Sequence, residues 1–291
     1  MNKNEKCIIC KAKMGHLFAY RDYHYYRCPN CGQVSTYPLP SQRTIEDHYR
    51  LKFNQGNYLL LREYSEQYKK VYRQFLRLLK SRLGLNGKEL AGATALDVGC
   101  FTGDFSGLLV SEGTDAYGLE LQDEAVAIAA KTLPGRIFKA DVMSDQFPQK
   151  DFDIITLFGI IEHVTDPRKL VGRSAKLLKK GGTLMLQTPN SGSAFAKTMA
   201  KYWPPYSPVE HIHLFTPKSL RLLLEQEGFT KIVVKAHVKP LPLGYVFRML
   251  QNFGPEFYRL IKPFKPVVDK SPKNISFPFY VGEMIIVAEK Q

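Results

Sequence analysis

The sequence contains no apolar run approaching the roughly 18 residues that a membrane-spanning helix needs. Its opening, Met1-Asn2-Lys3-Asn4-Glu5-Lys6-Cys7, lacks the apolar stretch of a secretion signal, so the expectation is a cytoplasmic chain. Tryptophan occurs once and cysteine five times in 291 residues, and four of those cysteines fall within the first 31 positions. That clustering excludes a disulfide scaffold spread along a secreted chain. Acidic side chains are scarce beside basic ones, 27 against 41, which leaves a net charge of +14. The imbalance is local: residues 1–50 sum to +4, 51–91 to +6, 92–230 to −2 and 231–291 to +6. Basic flanks around a near-neutral middle suit nucleic acid, an anionic membrane or a phosphorylated substrate without choosing among them. With 44% hydrophobic and 23% charged residues, the chain is neither disordered nor a coiled coil.

The cysteines carry the first positive signal. Cys7 and Cys10 form one pair with two residues between them, Cys28 and Cys31 a second, with 17 residues separating the pairs. Such spacing converges four thiolates on one ion and suits a zinc ribbon over residues 1–40, although iron in a rubredoxin-like site shares the spacing. Four cysteine ligands leave no open coordination position, so the zinc is expected to be structural. Gly32 offers a left-handed residue behind the second knuckle. Leu17–Tyr20 and Tyr23–Arg27 read as short aromatic strands.

Residues 41–91 read as a helical linker and cap. From Tyr58 to Leu83, apolar residues recur at steps of three and four (Leu61, Tyr64, Tyr68, Val71, Tyr72, Phe75, Leu78, Leu79), which is one helical face. From Thr94 onward strands and helices alternate over residues 92–291. Seven strand candidates, among them Thr94–Val98, Ala116–Leu119, Phe152–Phe158 and Glu283–Ala288, imply an α/β doubly wound sheet. Residues 240–280 form a long, basic, lid-like insertion whose prolines are expected to interrupt any long helix.

The strand ends carry the chemistry. Asp97-Val98-Gly99-Cys100-Phe101-Thr102-Gly103 places two glycines directly after the first strand, where bare backbone can approach a ligand. The spacing departs from the G-x-G-x-x-G of dinucleotide sites, and Asp97 before the turn would repel a pyrophosphate but suit an amine. Glu120 ends the second strand, placed to accept two hydrogen bonds from ribose hydroxyls, and Asp141 the third, placed to accept from an adenine amino group. Three acidic strand ends beside a glycine loop without a phosphate-binding lysine point to an adenosine with a cationic tail, as in S-adenosylmethionine.

These motifs resemble class I S-adenosylmethionine-dependent methyltransferases. Phe158-Gly159-Ile160-Ile161-Glu162-His163-Val164 is similar to the fourth-strand motif of the ubiquinone- and menaquinone-type branch, as is Glu210-His211-Ile212-His213-Leu214-Phe215-Thr216-Pro217 to a later segment. The resemblance implies a mostly parallel seven-stranded sheet of order 3-2-1-4-5-7-6, with Asp97, Gly99, Cys100, Gly103, Glu120, Leu121, Asp141, Val142 and Phe158 around the cofactor. The four-cysteine opening resembles methyltransferases of sugar and polysaccharide gene clusters, implying a small-molecule or glycan-like acceptor.

His163, just beyond the fourth strand, is the expected acceptor of a hydroxyl proton. His211 and His213, two apart in an extended segment, are expected to face one side and line the acceptor cavity. A metal site from His163, His211 and His213 is a further option. Tyr202, Trp203 and Tyr206 read as an aromatic wall of the acceptor pocket. Methyl transfer to a hydroxyl is the leading reading. An RNA methyltransferase using the basic flanks, and a non-enzymatic zinc-ribbon adaptor, are the alternatives. Peripheral membrane contact through residues 240–275 is a secondary option beside the lid.

Overall fold

The computed structural model of the chain describes residues 5–52, 65–84, 87–148, 151–253, 255–270 and 276–291. The expected helix over 58–83 is present from Ser65, and its first residues lie outside the described ones.

Eleven strands and ten α-helices are described. Strands β1 (Gly15–Tyr20), β2 (Tyr23–Arg27) and β3 (Val34–Tyr37) make up the cysteine-bearing module, followed by α1 (Gln42–Lys52) and α2 (Ser65–Gly84). The alternating region runs β4 (Thr94–Val98), α3 (Asp104–Ser111), β5 (Asp115–Glu120), α4 (Asp123–Thr132), β6 (Ile137–Lys139), β7 (Phe152–Phe158), α5 (Pro167–Leu177) and β8 (Leu178–Pro189). Helix α6 (Ala194–Met199), β9 (His213–Leu214), α7 (Pro217–Gln226) and β10 (Phe229–Pro242) come next. Helices α8 (Leu243–Phe253), α9 (Pro255–Ile261) and α10 (Lys265–Asp269) precede the final strand, β11 (Ser276–Lys290). The main sheet has the order β10-β11-β8-β7-β4-β5-β6. Counted from β4 within that sheet, this is the expected 3-2-1-4-5-7-6. β4 to β8 are parallel, and β11 is antiparallel to both β8 and β10.

Side chains two apart on a strand face the same way, and here that alternation separates two cores. Leu96, Val98, Ile155, Leu157, Leu184, Leu186 and Ile286 pack against α5 and α7 through Leu170, Leu220 and Leu224. Ala95, Ile154, Met185, Ile285 and Val287 face α2 and α3 through Phe75, Leu79, Phe105 and Leu109. The period of α2 is thus satisfied by the sheet, which it covers like any other helix of the domain. On the α2 side the apolar residues give way, toward the carboxyl ends of the strands, to Asp97, Thr156 and Gln187. That change of character positions the site.

The cysteine module is not a separate bead. Its β3 pairs with β9, so one four-stranded sheet of order β1-β2-β3-β9 spans module and domain. The Thr36 amide donates to the Ile212 carbonyl (3.0 Å), and Thr216 Oγ1 donates to the Cys31 carbonyl (2.7 Å). Two expectations are corrected at this seam. His213 does not face an acceptor cavity: it is completely buried, with Nδ1 at 3.0 Å from Ser35 Oγ and Nε2 at 3.2 Å from the Thr165 carbonyl. Burial drives its pKa down to about 4, so the ring is neutral. The aromatic wall is likewise packing. Trp203 and Tyr206 are buried against Tyr25, Val34 and Leu214, Tyr206 meeting Tyr25 and Phe18 edge-on at 4.9 Å, while Tyr202 is exposed.

Trp203 also donates from Nε1 to the Val281 carbonyl (3.2 Å), tying the seam to β11. Trp203→Ala should therefore lower unfolding stability by about 3–5 kcal/mol, the range for a fully buried large aromatic. Urea unfolding monitored by far-UV circular dichroism checks this.

Candidate active site

The loop after β4 is built by glycine geometry and one carboxylate. Gly99 has φ +71°, and a Cβ there would lie 2.1 Å from Ile160 Cδ1, so only glycine fits without rebuilding the β7 end. The Gly99 and Cys100 amides both donate to the Leu119 carbonyl (2.8 and 2.9 Å), and Gly103, also left-handed, precedes α3. Glu120 closes the loop from the neighbouring strand. Its Oε2 accepts from the Phe101 amide (3.0 Å), and its Oε1 from the Leu121 and Gln122 amides (2.7 and 2.9 Å). Three of roughly four acceptor positions are thereby filled, leaving one for a ligand hydroxyl where two were expected. Cys100 offers backbone only. Its sulfur points inward, where a Cβ at Gly118 would lie 2.6 Å away, and burial raises the thiol pKa.

Asp97 is a correction. Its carboxylate is 3% exposed and lies beneath the loop, accepting from Ser106 Oγ (2.8 Å) and Thr156 Oγ1 (2.6 Å). It ties β4, β7 and α3 together and does not confront an amine. Burial pushes its pKa up to about 6. Asp141, by contrast, is exposed and accepts the Met143 amide (2.8 Å) in a tight turn, with Val142 buried behind it. Leu121 and Met143, following adjacent strands, are 56% and 51% exposed, apolar faces of the kind a flat ring covers.

Beside the loop lies a cavity of about 170 Å³ between α2, β10 and the start of α8. Tyr72, Phe75, Phe158 and Tyr245 line it, with Gln187 and His237. The Tyr72 ring packs on Phe105 of α3 (5.7 Å), and Phe158 lies between Phe75 (4.4 Å) and Phe105 (4.9 Å). Burial, with the Asp97 and Asp104 carboxylates, raises the Tyr72 pKa. Phe105, two residues past Gly103, packs on both Tyr72 and Phe158, so the start of α3 joins the glycine loop to the cavity wall.

A buried charge network underlies this cavity. Glu283 Oε1 accepts from Lys239 Nζ (2.5 Å), while its Oε2 lies 3.1 Å from His237 Nδ1 and accepts from Gln187 Nε2 (2.7 Å). Burial opposes ionisation of Glu283, but Lys239 and His237 outweigh it and hold the carboxyl at about 2. Nothing local in the sequence singled out these residues. The one visible signal was a glutamate, Glu283, heading an otherwise apolar strand.

His163 and His211 do come together, with ring centroids 4.9 Å apart. His163 Nδ1 lies 2.6 Å from the Glu210 carbonyl and His211 Nδ1 2.8 Å from that of Pro205. Those carbonyls take the Nδ1 protons and leave the lone pairs on Nε2. Glu162, absent from the expected set, takes the place assigned to His213: it is buried, accepts from Thr188 Oγ1 (2.9 Å), and has Oε1 3.8 Å from His163 Nε2. One oxygen and two ring nitrogens from Glu162, His163 and His211 lie within 4.8 Å of one another, a spacing that would also fit a divalent cation. Gly159, which has no side chain, lies between this cluster and the cavity-lining Gln187: a Cβ there would be 3.8 Å from Glu162 Oε1 and 4.0 Å from Gln187 Oε1. Burial lowers the pKa of His163 and raises that of Glu162.

The four thiols of Cys7, Cys10, Cys28 and Cys31 converge, with Sγ···Sγ distances of 3.4, 3.5 and 3.7 Å among them. A tetrahedron with about 2.3 Å metal–sulfur bonds has edges near 3.8 Å, so the set fits zinc. Gly32 is left-handed as expected, and Lys11 takes the same conformation behind the first pair (φ +77° and +62°).

A family model described as a methyltransferase domain matches residues 64–234. Over 108 residues the chain is 34% identical to a ubiquinone biosynthesis O-methyltransferase of Methylococcus capsulatus, which is 35% of this chain and 45% of that protein. The match thus spans less than half the length of that relative. Among solved structures, the 1,6-didemethyltoxoflavin-N1-methyltransferase of Burkholderia thailandensis, with its substrate and S-adenosylhomocysteine bound, covers 95% of this chain and 99% of its own at a TM-score of 0.54 and 15% identity. The magnesium protoporphyrin IX methyltransferase of Synechocystis, with S-adenosylhomocysteine bound, covers 84% and 100% at a TM-score of 0.54 and 15% identity. At such identities the likeness is one of fold.

The Glu283 network carries a signed pH dependence. A carboxyl held at about 2 when folded and near 4.5 when unfolded contributes stability above pH 4.5 that is lost as pH falls toward 2. Urea unfolding of the wild type should weaken through that window, and Glu283→Gln should remove this contribution. The difference between the two proteins cancels the opposite contribution of Asp97.

Proposed function

The chain belongs to the methyltransferase-domain family, and we propose that it moves the methyl group of S-adenosylmethionine to a hydroxyl of a small cyclic acceptor. The carrying observation is that junction: Phe105, at the start of α3, packs on Tyr72 and Phe158 and joins the Glu120-braced glycine loop to an aromatic cavity. When bound, S-adenosylmethionine supplies a sulfonium-activated methyl group. Glu120 accepts a ribose hydroxyl with its remaining lone pair, Asp141 accepts from the adenine amino group, and Leu121 and Met143 cover the ring. Gly99, Cys100 and Gly103 contribute backbone, while Asp97 holds the loop from beneath and Val142 backs the Asp141 turn.

Tyr72, Phe75, Phe158 and Tyr245 exclude water and hold the acceptor ring, a role equally suited to a sugar face or a phenol. His163 Nε2 takes the hydroxyl proton, with the ring fixed through Nδ1 by the Glu210 carbonyl and flanked by His211. His213 has no part in this chemistry beyond holding β9 in place. The aromatic lining and the ribbon's likeness to sugar-cluster enzymes support a sugar-like acceptor, and the ubiquinone-type motif supports a phenolic one. The thiolates of Cys7, Cys10, Cys28 and Cys31 hold structural zinc, which metal analysis of purified protein should find at one per chain.

Tritiated S-adenosylmethionine with a panel of catechols and nucleotide sugars tests the reading. On the productive acceptor, His163→Ala should lower kcat by about 10²–10⁴-fold with S-adenosylhomocysteine affinity unchanged. Activity lost on chelation and restored by a divalent ion, while the one zinc per chain on the cysteines stays bound, would instead assign Glu162, His163 and His211 to a cation. No transfer to any acceptor class, together with no S-adenosylhomocysteine binding, would remove the proposal.

A further inference from the structure

β10 and β11 outrun the sheet. The pairing of β11 with β8 stops at Glu283 opposite Pro189, whereas Val238 to Pro242 continue to pair with Tyr280 to Ser276. This two-stranded arm carries α8, α9, a 3₁₀ turn (Lys262–Phe264) and α10. As expected, the prolines interrupt any long helix, and each does so from the first turn of the next short element: Pro255 starts α9, and Pro263 and Pro266 sit in the first turns of the next two. The chain from 255 to 269 thus runs in almost unbroken helical turns.

One stripe on those turns is bare. Leu260, Phe264 and Val267 are 73%, 62% and 70% exposed, higher than any other large apolar side chain among the described residues. They fall within eight residues of chain in three successive elements, Leu260 in α9, Phe264 at the end of the 3₁₀ turn and Val267 in α10. Around them stand Arg259, Lys262, Lys265 and Lys270, all exposed, with Lys265 paired to Asp269 (2.5 Å).

We propose that this stripe is a peripheral anchor for an anionic bilayer, with Leu260, Phe264 and Val267 entering the interface and the surrounding cations meeting headgroup phosphates. Aliphatic side chains ringed by lysine match the two demands of such a surface, apolar insertion and attraction to negative charge. A second copy of the chain would set lysines against lysines. A single-stranded nucleic acid would call for several aromatic platforms, where the stripe has one phenylalanine between two aliphatics. No described helix is long and apolar enough to cross a membrane, so contact is from one side. The inference does not depend on the methyltransferase reading.

Full-length protein should co-sediment with phosphatidylcholine vesicles containing about one third phosphatidylglycerol and bind pure phosphatidylcholine about tenfold more weakly. Leu260→Ser, Phe264→Ser and Val267→Ser combined should reduce binding to the anionic vesicles about tenfold or more, with an unchanged thermal midpoint. In Phe264→Trp, the new indole emission should shift to the blue on adding those vesicles, over the constant signal of buried Trp203. Equal sedimentation of wild type and triple variant, or no blue shift, would overturn the proposal. So would a wild-type dimer that the triple variant dissolves, or RNA binding that the triple variant abolishes while vesicle binding persists.

Discussion

The site depends on a single carboxylate bracing a loop of left-handed turns at Gly99, Phe101 and Gly103. Glu120 gathers the amides of Phe101, Leu121 and Gln122 onto its two oxygens, which aligns the ends of β4 and β5 and leaves the Gly99–Gly103 backbone facing the cleft. Gly99 makes this possible because its left-handed turn passes directly under Ile160. Asp97, buried below and held by Ser106 and Thr156, fixes the same loop to α3 and β7. A carboxyl group buried at such expense, with both hydroxyl partners in place, sets the geometry of the loop above it.

A second constraint runs from the cysteine cluster to the histidines. β3 leaves the second cysteine pair and accepts β9 as its neighbour, and the Ile212 and His213 amides at that junction donate to the Glu162 carbonyl (2.8 and 3.2 Å). The residues bearing Glu162, His163 and His211 are therefore held from the side by the ribbon. A small cysteine-bearing module joined to a larger domain in this way serves as a wall of that domain.

Much of this was legible in the chain. The convergence of the cysteines, the left-handed turns at Gly99 and Gly103 and the places of Glu120 and Asp141 after their strands were readable because each is set by neighbours in sequence and by the period of a strand. The strand order followed from a family resemblance and not from periodicity. What escaped was set by pairing across long separations. His213 meets Ser35 across 178 residues, and Trp203 finds its cover in Tyr25 and Val34, so both read as pocket residues until the shared sheet placed them. His237, Lys239 and Glu283 meet only because β10 and β11 pair antiparallel. Asp97 was read by type, whereas the alternation of β4 turned it inward.

The most direct test of the cofactor cleft is calorimetric titration of the wild type and of Glu120→Gln with S-adenosylhomocysteine and, separately, with NAD. A glutamine at 120 would turn an amide toward the backbone N–H groups that the carboxylate now gathers. The account predicts that the wild type binds S-adenosylhomocysteine and not NAD, and that Glu120→Gln weakens binding about tenfold or more without unfolding. Preference for NAD, or an affinity indifferent to Glu120, would contradict it.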